Sequence, residues 1–461
     1  MAAPTPNTKT NGASTSSAKP AKTAVAKLPP PAVVVKANSE VAPPAKKTNG
    51  KKGALPIPEA QVSSVPKAPK IKHLITEAPE TVDIIFDRAI DARASDIHLE
   101  PQADGIHVRF RIDGVLHEVG SFDKESYENI LNRIKVQAHL RTDEHFAAQD
   151  GSLRHKKDDT EVNIRLSIVP TLDGETVVMR ILTEYIRGFN LPDLGLSEAN
   201  QAILMQAAMR PFGMILVVGP TGSGKTTTLY GLLKHLNRPE VNITTIEDPV
   251  EYKVPGVNHI QVNLATNLTF AQGLRSIVRQ DPNVIFLGEI RDQESAEIGV
   301  NAALTGHLLL TTFHANNAAT AIPRLLDMGI ERFLLSSTLQ VVISQTLVRR
   351  ICDGCKVEYP ETNPFVIKLA AGAKLYRGKG CTQCANTGYK GRIAIYEVLR
   401  NSPAMQDLIL TNPPTKDVAD LARKEGMCTM FEDGVLKIRA GVTTYEEIAR
   451  VAEAPATFTC I

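Results

Sequence analysis

The sequence predicts an α/β protein, with a small hairpin-rich domain ahead of a larger one built on a mostly parallel sheet. Three features carry that expectation. Between residues 194 and 350, apolar runs of strand length alternate with helical stretches, the pattern of βα units covered on both faces. One of these runs, MILVV, leads directly into GPTGSGKT and then into the helical TTTLYGLLKHL. Upstream, Asp113-Gly114 and Asp173-Gly174 separate strands of alternating polarity, as hairpin turns do.

The 461 residues suffice for two or three domains with a large core. Charge is unevenly spread along them. Residues 1–72 hold 12 Lys, no Arg and only Glu40 and Glu59 as acids, a net +10, so the chain total of +2 leaves −8 for the remainder. This opening segment, rich in Pro, Ala, Lys, Ser and Thr, is expected to be a disordered tether or a docking segment for a partner or an acidic lipid surface. A mildly acidic body argues against a nucleic-acid partner, which calls for a basic footprint. No apolar run approaches 18 residues and no signal-peptide pattern opens the chain. The expectation is a soluble, intracellular protein, compatible with a peripheral place at a membrane.

Residues 73–186 read as the first folded domain. TVDIIFDRAIDARA and YENILNRIKVQAHL have helical spacing, whereas SDIHLEP, IHVRFRIDGVLHEV, VNIRLSIVP and ETVVMRIL read as strands. Ile164, Leu166 and Ile168 share one strand face and leave Arg165 on the other; Val177, Met179 and Ile181 likewise leave Arg180. Two arginines on one sheet surface are either solubilising groups or forks shaped for phosphate.

A linker at 187–193 leads to the second domain, 194–350. In Gly219, Pro220, Thr221, Gly222, Ser223, Gly224, Lys225, Thr226 and the following Thr227, glycines let the backbone wrap so that its N–H groups face phosphate oxygens. Lys225 neutralises the β and γ phosphates, and the Thr226 hydroxyl suits Mg²⁺, which makes ATP the expected ligand. Carboxylates are expected at the same sheet edge. NVIFLGEIRD ends a strand in Glu289, placed to hold Mg²⁺ through water or to polarise an attacking water; TTIEDPVEY presents Glu247, Asp248 and Glu251, with Pro249 ending the strand. TGHLLLTTFHANNA then carries His307 and His314 at opposite ends of a buried strand, about 23 Å apart if straight. His314 falls on the ligand edge, where an imidazole can meet the terminal phosphate, and His307 on the far one.

Cysteines mark residues 351–400. CDGC and CTQC place Cys352, Cys355, Cys381 and Cys384 as two pairs 25 residues apart in a polar, glycine-rich setting, a pattern for structural Zn²⁺ with every coordination position taken by sulfur. Cys428 and Cys460, without close sequence neighbours, are expected to be incidental in a reduced chain. Residues 401–461 read as short helices.

With SDIHLEP, VRFRIDG, QDG, GPTGSGKT, TIEDPVE, FLGEIRD, TGHLLLTTFHANNA and both cysteine pairs in order, the chain resembles the type II secretion and type IV pilus assembly ATPases over about residues 73–453. The resemblance implies a PAS-like domain, a RecA-like P-loop ATPase domain with a zinc-knuckle insert and helical tail, and a homohexamer at the cytoplasmic face of a bacterial inner membrane. It implies ATP, Mg²⁺ and Zn²⁺, an inner-membrane platform protein as partner, and hydrolysis coupled to pilin or pseudopilin assembly. Roles fall on Lys225 and Thr226, on Glu251 as general base, on Glu289, on His307 and His314, and on Arg165 and Arg180 as phosphate-reaching groups. The four cysteines favour the assembly branch over the retraction branch. A DNA-translocating ring and a nucleotide-gated scaffold without turnover are the alternatives.

Overall fold

The computed structural model describes residues 78–158, 160–182 and 190–461. The lysine-rich segment 1–72 and the first part of the expected linker lie outside the described residues. The first group of elements is α1 (Ala78–Asp91), β1 (Ala94–Gln102), β2 (Gly105–Ile112), β3 (Val115–Phe122), α2 (Lys124–Gln137), β4 (Gln149–Lys157), β5 (Thr160–Thr171) and β6 (Gly174–Leu182). Its strands form one antiparallel sheet in the order β3-β2-β1-β6-β5-β4.

Period-two alternation sends Ile97, Leu99, Ile164, Leu166, Val177 and Met179 to one face, where Phe86 of α1 and Ile130 of α2 cover them. Burying a side chain of this size stabilises the fold by about 1.5–3 kcal/mol. The opposite face keeps Arg165 and Arg180, as the alternation requires. Strand β4 escaped the sequence reading. As an edge strand it buries only Leu153 and His155, and its basic residues hide the period.

The second group runs α3 (Glu198–Ala208), β7 (Gly213–Val218), α4 (Lys225–Leu236), β8 (Ile243–Glu247), β9 (Asn258–Gln261), α5 (Phe270–Ile277), β10 (Val284–Leu287), α6 (Gln293–Leu304), β11 (Leu308–Phe313), α7 (Ala318–Asp327), α8 (Arg332–Thr338) and β12 (Leu339–Ile351). Next come β13 (Lys356–Glu358), α9 (Pro364–Ala370), β14 (Tyr376–Gly378), β15 (Tyr389–Arg400), α10 (Pro403–Leu410), α11 (Thr415–Lys424), α12 (Met430–Arg439) and α13 (Tyr445–Ala449). Seven strands order as β15-β12-β7-β11-β10-β8-β9, all parallel except β15. Helices cover both faces. Met214, Leu216 and Val218 of β7 join the core under α5 to α8, while Ile215 and Val217 join the one under α3 and α4. This two-sided burial is why β7 reads as a continuous apolar run.

Two sequence expectations are corrected. The cysteine region is not wholly an insert: β15, counted with it to about Leu399, pairs with β12 along nearly its whole length and forms an edge of the central sheet. Its YEVL end follows the core because Tyr396, Val398 and Leu399 pack into the sheet's two layers. The tail forms short helices as expected, and Met405 and Ile409 of α10 and Val418 of α11 complete the core under α7 and α8. Finally, Cys428 and Cys460 are joined as a disulfide across a separation of 32 residues. Sequence distance hid the pair because the C-terminal residues fold back onto Glu432, whose Oε1 accepts the N–H groups of Thr459 and Cys460, which brings Cys460 to the turn before α12.

Candidate active site

The carboxyl ends of β7, β8, β10 and β11 lie along one edge of the parallel sheet, and the predicted chemistry gathers there. The glycine loop fills the gap between β7 and α4. Gly219 has φ 147°, and a Cβ on it would stand 2.3 Å from the Gln345 carbonyl oxygen and 2.8 Å from Ser223 Oγ, so only glycine lets the loop pass β12. Gly224, at φ 87°, starts α4. Thr226 and Thr227 follow in the first turn, half-buried. Lys225 is buried and donates through Nζ to the carbonyls of Gly219 at 2.8 Å and Pro220 at 3.0 Å. Burial lowers its pKa, and the nearby Glu289 carboxylate works against that shift.

Glu289 lies just past β10 and receives Nε2 of His314, just past β11, at 3.0 Å. Arg291 pairs with the same carboxylate and reaches Asp248 Oδ2 at 3.1 Å, clamping the ends of β10 and β8 together. Two caps hold these turns in place. Asp292 accepts from Ser295 N to start α6, and Asn317 accepts from Thr320 N to start α7, so each active-edge residue stands three residues ahead of a helix cap. Of the acids expected from TTIEDPVEY, Glu247 is corrected. It is only 1% exposed and accepts from Tyr230 Oη at 2.6 Å and Thr245 Oγ1 at 2.7 Å, because the last residue of an interior strand still faces a covered layer.

Glu251 meets the smaller sheet. Arg165 Nη2 donates to the Val250 carbonyl at 3.0 Å, and its Nη1 stands 3.9 Å from Glu251 Oε2. Arg180 is the direct cross-strand neighbour of Arg165. Desolvation raises the Glu251 pKa, opposed by the charges of Arg165 and Arg180. Thus Lys225, Glu289, His314, Glu251, Arg165 and Arg180 gather around one edge. His307 does not join them within this chain. It sits at the amino end of β11, where its N–H and ring Nδ1 both meet the Ala302 carbonyl at the end of α6, the ring at 2.9 Å.

Sequence reading missed Gln345, a neutral residue inside the largely buried β12. It is 1% exposed, donates to Ser223 O at 2.9 Å and accepts from Thr228 Oγ1 at 2.8 Å, bracing the glycine loop and α4 against β12. The available signal was the polar run Ser344-Gln345-Thr346 in the middle of a strand-length segment that begins and ends in apolar residues. Arg291, two residues past Glu289, was likewise visible in GEIRD but unassigned.

Away from this edge, Cys352, Cys355, Cys381 and Cys384 bring their sulfurs within 4.8 Å of one another. The pairs Cys352–Cys381 and Cys355–Cys384 stand at 3.8 Å and Cys381–Cys384 at 3.7 Å. Four sulfurs about 2.3 Å from one centre would be about 3.8 Å apart at tetrahedral angles, so the donor set fits a zinc ion. At Cys384, burial is outweighed by the N–H groups of Cys381 and Gly388, which hold the thiol down at about 7.

A glycine loop that delivers a buried lysine to a helix start, beside an acid closing a nearby parallel strand, defines the P-loop ATPases. More narrowly, the chain belongs to the Type II/IV secretion system protein family, whose model matches residues 76–450. It is 44% identical over 398 residues to the Type II secretion system protein E of Pseudomonas aeruginosa, covering 85% of this chain and 79% of that protein. It is 40% identical over 413 residues to the Type IV pilus assembly ATPase PilB of Thermus thermophilus, covering 86% of this chain but only 46% of that longer protein. Among solved structures, the ATPase DotB of Legionella pneumophila shares the fold at TM-score 0.62 and 19% identity, covering 84% of this chain and 98% of that one. The pilus retraction motor PilT with bound ADP matches at TM-score 0.56 and 27% identity, over 81% and 97%.

Proposed function

We propose that this chain is a magnesium-dependent ATP hydrolase that drives assembly of pilin or pseudopilin subunits, working as a homohexamer at the cytoplasmic face of a bacterial inner membrane against a platform protein embedded there. In this reading the six-stranded sheet is the PAS-like unit and the seven-stranded sheet the RecA-like one. The observation that carries it is the approach of Arg165, from one sheet, to Val250 and Glu251 at the nucleotide edge of the other.

Phosphoryl transfer needs positioning and charge neutralisation more than covalent help. The amides of the 219–227 loop and Lys225 hold the β and γ phosphates. The Thr226 hydroxyl and the Glu289 carboxylate are the donors suited to Mg²⁺, which when bound neutralises phosphate charge. Glu251 takes the proton from the attacking water, and His314, tied to Glu289, registers the terminal phosphate. Arg165 and Arg180 stabilise charge as the bond to that phosphate breaks, which needs the two sheets brought together. Cleavage then releases the arginines, and the relative movement of the two units becomes work on the membrane partner. His307, holding the end of α6, keeps β11 and its active-edge turn in register. Cys352, Cys355, Cys381 and Cys384 hold zinc and brace the segment between β12 and β15.

The test is phosphate release by the full chain with Mg-ATP, with and without its platform partner in vesicles. Turnover abolished by Glu251→Gln supports the proposal. Nucleotide binding without turnover under both conditions points to a gated scaffold and overturns it, and so does stimulation by single-stranded DNA alone, the mark of a DNA-moving ring.

A further inference from the structure

Asp96 stands at the centre of a row of charges that crosses the open face of the six-stranded sheet. Register places Arg165 of β5 opposite Arg180 of β6, Arg180 opposite Asp96 of β1, and Asp96 opposite Arg111 of β2. Directly opposed side chains in a sheet are close, so Arg165 and Arg180 repel one another. Asp96 offsets this from the other side. Its Oδ1 accepts from Arg180 Nε at 3.1 Å, while its Oδ2 accepts from Ser95 Oγ at 2.8 Å and lies 3.5 Å from Arg111 Nε. The carboxylate is 8% exposed and the Arg180 side chain 63%.

The manner of this grip matters. A carboxylate that takes an arginine by both ends of its fork uses up the groups that would bind phosphate. Here Asp96 takes Arg180 through Nε, which fixes the plane of the guanidinium and leaves its two Nη groups out of that contact, with the Arg180 charge within electrostatic reach of Glu251. Arg111 is bound differently, with Nη1 donating to Gly114 O at 3.2 Å. It supplies Asp96 with a second counter-charge from the strand on the other side of β1 from Arg180.

We propose that Asp96 is a positioning residue for the hydrolysis: it holds Arg180 by Nε against the repulsion of Arg165 so that the Nη fork, which Asp96 does not take, is presented to the terminal phosphate when the two units close. This rests on the proposed ATPase role and goes beyond it, because Asp96 touches no substrate.

The test is a double-mutant cycle on the full chain with Asp96→Ala, Arg180→Ala and the pair, reading kcat and KM for Mg-ATP, fluorescent-nucleotide affinity and thermal midpoint. Asp96→Ala should lower kcat between about 10- and 100-fold, the range for a misplaced charged group, with nucleotide affinity within about twofold of wild type. In the Arg180→Ala background it should cause no further loss. Asp96→Asn, whose amide oxygen still accepts from Nε, should fall between wild type and Asp96→Ala, and it serves as the readout where the alanine variant fails to fold. Losses that multiply in the double variant overturn the proposal, as does full turnover by either Asp96 variant or by Arg180→Ala. A wild-type chain that splits no ATP would instead remove the underlying ATPase reading.

Discussion

His314 Nε2 stands 3.0 Å from Glu289 Oε2, so residues closing two adjacent parallel strands share one contact beside Lys225. The pair can act as a unit, with the imidazole fixing which way the carboxylate faces. Glu289→Gln should therefore lower kcat by about 100- to 1,000-fold, the cost of losing a charged group from a phosphoryl-transfer site, and His314→Ala by about 10- to 100-fold. The double variant should be little worse than Glu289→Gln alone. Steady-state phosphate release checks this, and independent losses would separate the two residues.

Glu251 supplies a pH signature. Desolvation raises its pKa, and the charges of Arg165 and Arg180 pull it down. A base works only when ionised, so turnover should fall as pH drops through a value above the ordinary glutamate range. Arg165→Ala and Arg180→Ala each remove a lowering charge and should move that acid limb to higher pH. A limb displaced to lower pH in either variant contradicts the assignment.

The four sulfurs make a metal prediction independent of catalysis. The purified chain should carry about one zinc per chain, released by a thiol-modifying mercurial and seen with a chromogenic chelator. Cys381→Ser should lose the metal and lower the thermal midpoint, because the four sulfurs tie together the two ends of the segment that carries β13, α9 and β14. A metal-free chain of unchanged stability would assign the cysteines another role.

The C-terminal strap should answer to both reductant and acid. Closing the loop between Cys428 and Cys460, separated by 32 residues, stabilises by about 3–4 kcal/mol on chain-entropy grounds, so dithiothreitol or Cys428→Ser should cost an amount of that order in urea unfolding. At Glu432 burial is outweighed by hydrogen bonds from Arg423, Thr429, Thr459 and Cys460, which hold its pKa below the usual range. A depressed pKa contributes stability that is present above the unfolded value and lost as pH falls through the folded one. The strap should loosen on acidification, and Glu432→Gln should flatten that dependence.

Local rules made much of the active edge legible. A glycine loop between an apolar strand and a helix, an acid at a strand's end and a histidine at another's each state their position by pattern alone. The arginines were placed on the correct face of their sheet by alternation, but their target was not. Arg165 reaches Val250 across 85 residues, and no short-range period encodes that distance.

What the sequence determined by itself was local: most of the segments that are strands and helices, where the phosphate loop lies, and which side chains of the β5–β6 hairpin leave the core. Tertiary structure decided which of those side chains meet. It turned Glu247 inward to Tyr230, set Gln345 under the glycine loop, joined Cys428 to Cys460 and placed Asp96 between two arginines. The physical reason is that hydrophobic periodicity is written every two or every 3.6 residues, whereas a buried polar group is satisfied by whatever partner the packed layers bring within about 3 Å.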